Sequence, residues 1–233
     1  LLKKLYKNVD KLLKASIIVN DNERGELKMK SVYSLVLSDE VIKKVDEAAF
    51  KNGVSRSQFI NEILAESVGV DTKRKRISDI YDEIGDYIAT LGNLRVERRQ
   101  QSSFDFLGAL DYKYNPRVTY SVDLFGDDYS SGELKIALRT TNPLLLTIIS
   151  DFFNDFISVE RAYDDSIVYA VRDGKLIRKL NFLKINGKSI SVAITDYITY
   201  LDKLLNFYVS HFGEDEKQTL MDNYDKVRDK MSL

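Results

Sequence analysis

Residues 29–70 read MKSVYSLVLSDEVIKKVDEAAFKNGVSRSQFINEILAESVGV, and three periodicities follow one another within them. From Lys30 to Leu37 the spacing predicts a strand with Tyr33, Leu35 and Leu37 on one face and Lys30, Val32, Ser34 and Val36 on the other. Ser38 is then a suitable N-cap, with Asp39 and Glu40 in the first turn, where the helix dipole favours negative charge. The apolar stripe Val41, Ile42, Val45, Ala48 and Ala49 leads to Asn52-Gly53, a left-handed stop. Ser55 with Gln58 three residues on forms a capping box for a second helix, whose buried face is Phe59, Ile60, Ile63, Leu64 and Val68. Gly69 closes it.

A strand followed by two short helices has unpaired edges and no second layer, so it needs a partner chain. Antiparallel pairing of two copies of Lys30–Leu37 makes Tyr33, Leu35 and Leu37 the dimer core, packed on four helices, and turns Lys30, Val32, Ser34 and Val36 outward. With Leu35-Val36-Leu37-Ser38-Asp39-Glu40 at the strand end and Gly53-Val54-Ser55-Arg56-Ser57 at the inter-helix turn, the segment resembles the ribbon-helix-helix family, the class of the Arc and MetJ repressors. The resemblance covers about forty residues of the 233. It implies a homodimer whose paired ribbon enters the major groove of double-stranded DNA, while amides opening the second helix hold a phosphate. Elementary physics supports the second contact: unpaired N–H groups and a positive dipole end make Ser55, Arg56 and Ser57 an anion site, to which Arg56 adds a charge.

One departure stands out, because the outward ribbon face of that family usually carries side chains that hydrogen-bond base edges. Here Val32 and Val36 have only methyl groups to offer, suited to thymine methyls, which leaves Ser34 and Lys30 for polar contacts and implies moderate sequence selectivity. The alternative is that this face packs on protein and the module serves dimerisation alone.

The formal net charge is −1, but it is unevenly distributed. Residues 1–76 carry 16 Lys+Arg against 11 Asp+Glu, a balance of +5, and residues 77–233 carry 19 against 25, a balance of −6. A phosphate backbone senses the local field, so the basic N-terminal part is where DNA is expected. Lys73, Arg74, Lys75 and Arg76 lie just past the second helix and are placed to neutralise flanking phosphates; a solvated linker is the plainer reading. Residues 1–28 read as a basic amphipathic segment, with Leu2, Leu5, Val9, Leu12 and Leu13 among lysines.

Residues 71–100 read as a basic linker and connector helix, whose apolar positions Ile77, Ile80, Ile84, Tyr87, Leu91 and Leu94 step by three and four. Residues 101–233, which with residues 77–100 hold 21 of the 25 Phe+Tyr, read as a separate C-terminal α+β domain. Two hairpins are expected there, Arg117–Phe125 with Glu133–Thr140, and Ser166–Arg172 with Lys175–Ile185 around Asp173-Gly174. Asn142-Pro143 opens a long helix, a second runs through Tyr197 to Tyr208, and a last spans about Asp215–Lys230. Lys188–Ile194 fits either a strand or the start of the second helix, and strand-strand-helix twice over suggests an internal duplication, though the residues themselves show no convincing repeat.

Zero cysteines and a single histidine exclude thiolate chemistry and the usual metal clusters. No nucleophile–base constellation is present, so no catalytic residue, metal or cofactor is expected. Asp127-Asp128 and Asp164-Asp165 read as turn acids and His211 as a helix-terminal histidine. The expectation is a soluble, cytoplasmic, bacterial-type homodimer that represses transcription, with a C-terminal domain for oligomerisation, a protein partner or a small effector, and no membrane association. The alternative is a plasmid-maintenance, relaxosome or antitoxin protein whose C-terminal domain grips a protein partner.

Overall fold

The computed structural model describes residues 34–99, 103–125, 129–185, 187–213, 215–231 and 233. By backbone proximity the chain divides into two units, residues 1–59 and 60–233. In the first, Ser34–Ser38 belong to no strand, and α1 (Asp39–Lys51) follows, with the Ser38 hydroxyl accepting from the Val41 amide. The αL residue Gly53 (φ 63°) ends the stop after Asn52, and α2 (Arg56–Ser67), within which the boundary between the two units falls, begins three residues later.

The second unit is built on α3 (Lys73–Leu91), β1 (Leu94–Arg99), β2 (Ser103–Ala109), β3 (Arg117–Phe125), β4 (Ser131–Leu138), α4 (Pro143–Tyr163), β5 (Tyr169–Arg172), β6 (Lys175–Asn181), α5 (Ile190–Ser210) and α6 (Glu216–Val227). The strands form one antiparallel sheet in the order β1-β2-β3-β4-β6-β5. Both expected hairpins are present and are neighbours in this sheet, because β4 pairs with β6. Asp173 (φ 52°) and Gly174 (φ 69°) supply the two left-handed residues of a tight turn, leaving Arg172 opposite Lys175.

Two strands were not anticipated. Leu94, which continues the helical spacing of α3, instead opens β1, because Gly92 turns left-handed (φ 74°) and stops the helix at Leu91. The residues between α3 and β3 thus supply a further hairpin, and the connector helix is part of the C-terminal unit's own core. Ser189 settles the ambiguous stretch: its hydroxyl accepts from the Val192 amide and α5 starts at Ile190.

One face of the sheet is closed by helices. Phe104 and Phe106 of β2, Val118, Tyr120, Val122 and Leu124 of β3, Leu134 and Ile136 of β4, and Leu176 and Leu180 of β6 join a single apolar core with Tyr81, Ile84 and Ile88 of α3 and the inner faces of α4, α5 and α6. The alternate residues are polar and wetter; Lys135 pairs with Asp123 at 2.8 Å and with Glu133 at 3.2 Å. This is the division expected of an antiparallel sheet with helices on one side.

Two polar clusters lie inside that core. Glu160 of α4, 1% exposed, pairs with Arg178 of β6 at 3.1 Å and accepts from the hydroxyls of Tyr197 (2.9 Å), Tyr224 (3.3 Å) and Tyr169. Burial pushes its carboxyl above the ordinary range, and Arg178 followed by the tyrosine hydroxyls pulls it back. Asp202 of α5 accepts from Tyr120 (2.9 Å) and from Asn93 (3.3 Å), and burial raises it to about 6. Gly108 makes room for it: a Cβ there would lie 2.4 Å from Asp202 Oδ1.

Candidate nucleic-acid interface

Of the residues expected to face bases, Ser34 and Val36 are described, and Lys30 and Val32 lie outside the described residues. Ser34–Ser38 are exposed and join no ladder in the described chain. Val36 is fully exposed and Leu35 is 57% exposed. Leu35 and Leu37, expected to form the dimer core, are thus uncovered in the single chain; Tyr33, their companion, is also outside the described residues.

The helices that follow are partly covered. In α1 only Ala49 is buried, and Val41 and Phe50 are exposed. In α2 no residue is buried, although Ile63 and Leu64 fall on the face that the sequence assigns to a core.

Ser55, Arg56 and Ser57 form the exposed entrance to α2, and the Ser55 hydroxyl accepts from the Gln58 amide at 3.2 Å, as the capping box requires. The leading amides of a helix have no partner inside it. Arg56, however, is already engaged: its Nε and Nη2 donate to Oδ1 and Oδ2 of Asp46, both at 2.5 Å. The hydrogen bond from Arg56 lowers the Asp46 carboxyl below its usual range, so the pair is ionised at neutral pH. The two side chains remain 55% and 44% exposed, so a phosphate has solvent access to the guanidinium.

Lys73, Arg74, Lys75 and Arg76 occupy the first turn of α3, behind the cap in which the Thr72 hydroxyl accepts from the Lys75 amide at 3.2 Å. Four cations at the positive end of a helix repel its dipole, an arrangement that costs stability unless anions offset it. Some of that repulsion is offset within the chain: Arg74 pairs with Glu62 at 3.1 Å and Lys75 with Asp71 at 3.4 Å. The Arg76 guanidinium reaches the Asp71 carbonyl at 3.4 Å, and Lys73 lies over the Tyr129 ring, 5.9 Å from its centroid.

The cations are plain in the sequence, but two of the carboxylates paired with them are not. Asp46 and Glu62 lie ten and twelve residues from their partners, beyond the three- and four-residue spacings that make helical ion pairs legible. His211 caps the C-terminus of α5 with its ring stacked on Phe207, Asp164 accepts from the amide of Ser166 at 2.9 Å, and Asp127 and Asp128 lie outside the described residues. Among the described residues no group of three or more His, Cys, Asp or Glu is placed to hold a metal ion, and no described helix is long and apolar enough to cross a membrane. No protein-family model, curated protein or solved structure matches the chain.

Proposed function

We propose that the chain is a homodimeric DNA-binding protein of the ribbon-helix-helix type, acting as a transcriptional repressor. The observation that carries this reading is the number of exposed apolar residues between 35 and 70: Leu35, Val36 and Leu37, Val41 and Phe50 of α1, and Ile63 and Leu64 of α2. Exposed apolar residues in such density on a small segment mark an interaction surface. An extended segment with free edges is completed most simply by its own copy, which covers Leu35 and Leu37 and leaves the alternate face outward.

On that reading Ser34 and Val36 meet base edges together with Lys30 and Val32, the amides of Arg56 and Ser57 hold a phosphate, and the exposed Lys73 and Lys75 supply part of the flanking charge. The balance of +5 over residues 1–76 gives the approach its direction.

Incubating the full chain with a random duplex library and sequencing the retained DNA tests the assignment, with light scattering for the protein's mass. A dimer retaining a two-fold-related motif is expected. Arg56→Ala should weaken binding to all sequences alike and lower the salt slope by about one unit, whereas Ser34→Ala should change the preferred motif. A monomer that retains no duplex at low salt ends the proposal.

A further inference from the structure

The β2–β3 connection and the β4–α4 connection together line an open groove of about 810 Å³ on the C-terminal unit. That is ample for a small organic ligand. Its character differs from the rest of the unit. Among the described residues that line it are Lys113 and Arg139 and no carboxylate, although residues 77–233 carry a balance of −6.

Tyr114 projects at this groove from an unusual backbone. It is 88% exposed and has φ 69°, and the next residue, Asn115, has φ 44°. Asparagine tolerates that region, whereas a bulky residue enters it only when its surroundings force it to. Here the turn is held by Leu110 N–H donating to the Pro116 carbonyl (2.9 Å) and Asn115 N–H donating to that of Tyr112 (2.8 Å). Lys113 Nζ lies over the Tyr114 ring, 5.1 Å from its centroid, which puts a cation on one face of the ring.

The β4–α4 connection carries donors. Arg139 is exposed, and the Thr140 hydroxyl accepts from the Asn142 amide at 3.1 Å, leaving its own proton to donate. Asn142 caps α4 through the Leu145 amide at 3.3 Å. A planar ring to stack on, two cations and a hydroxyl donor within one groove match a ligand that joins a flat heterocycle to a phosphate.

We propose that this groove binds a nucleoside phosphate, with the base stacked on Tyr114 and the phosphate held by Lys113, Arg139 and Thr140. The source is a free nucleotide or the unpaired end of a nucleic-acid strand; the chemistry is shared. The site belongs to the C-terminal unit alone and does not rest on the DNA-binding reading of residues 30–76.

Calorimetric titration of the full chain with AMP, adenosine, inorganic phosphate and octathymidylate tests it. AMP should bind at one site per chain, more tightly than adenosine or phosphate. Tyr114→Ala should weaken AMP about tenfold or more while leaving phosphate as in the parent, Tyr114→Phe should restore AMP binding, and Arg139→Gln should weaken both AMP and phosphate. Tighter binding of octathymidylate than of AMP, still dependent on Tyr114, assigns the site to a strand, and the reverse order to a free nucleotide. Absence of AMP binding at millimolar concentration, or AMP binding that none of these variants alters, overturns the proposal; unchanged melting temperatures show that the variants are folded.

Discussion

Residues 34–70 and the sheet unit that follows obey the same local rules of helix formation but reach different ends. In the sheet unit α3, α4, α5 and α6 bring apolar faces to one side of the sheet, and large side chains such as Phe106, Phe152 and Tyr197 are fully buried. In α1 and α2 the caps are in place and the stripes are present, yet Phe50 is 89% exposed and α2 buries nothing. Caps contribute about 1 kcal/mol each and short helices are marginal without tertiary packing. A helix can therefore be specified locally without its apolar face being packed, as α2 is here.

The comparison breaks most easily at Glu160. Removing one partner of a buried ion pair strands the other, so Glu160→Ala should destabilise the sheet unit by about 3–5 kcal/mol in urea denaturation. A loss under about 1 kcal/mol would show that the core tolerates Arg178 unpaired, and that the unit is less tightly specified than its packing suggests.

A smaller effect, and one with a sign, belongs to Asp202. Its folded pKa of about 6 lies above the ordinary 3.8, so the folded state holds this proton more tightly than the unfolded chain. The stability it contributes is complete below about pH 3.8 and disappears as pH rises through about 6. Across that window the parent should lose roughly 3 kcal/mol relative to Asp202→Asn, whose stability has no such slope. Parallel pH profiles for the two proteins would mean that Asp202 titrates normally.

The smallest effect sharpens the comparison on its N-terminal side. Asp46→Ala frees Arg56 from an exposed pair and should tighten duplex binding about two- to fivefold at low salt, with thermal stability nearly unchanged. Equal affinity with and without Asp46 would remove Arg56 from the phosphate contact.

Much of the C-terminal unit was legible from local signals. Asn142-Pro143, Asp173-Gly174 and the aromatic spacing of α5 each carry a conformational preference within a few residues, and the elements appear where those preferences put them. The hairpin of β1 and β2 escaped because Leu94 satisfies both periods: it is the next step of the α3 stripe and the first inward residue of a charged strand, and only Gly92 separates the two outcomes. The candidate interface was legible as residue types and caps. Its electrostatics were not, since Asp46 and Glu62 reach Arg56 and Arg74 across turns.

By itself the sequence determined where most helices lie and which residues cap them, that the C-terminal part is mixed α and β, and that positive charge gathers before residue 77. Those properties depend on neighbours within a few positions or on simple counts. The tertiary structure alone decided that the strands join one sheet, that Glu160 meets Arg178 and Asp202 meets Tyr120 inside the core, and that Lys113, Tyr114 and Arg139 share one groove. Each of these joins residues far apart in the chain, and such pairings are fixed by how whole faces pack and not by the local preference of any residue in them.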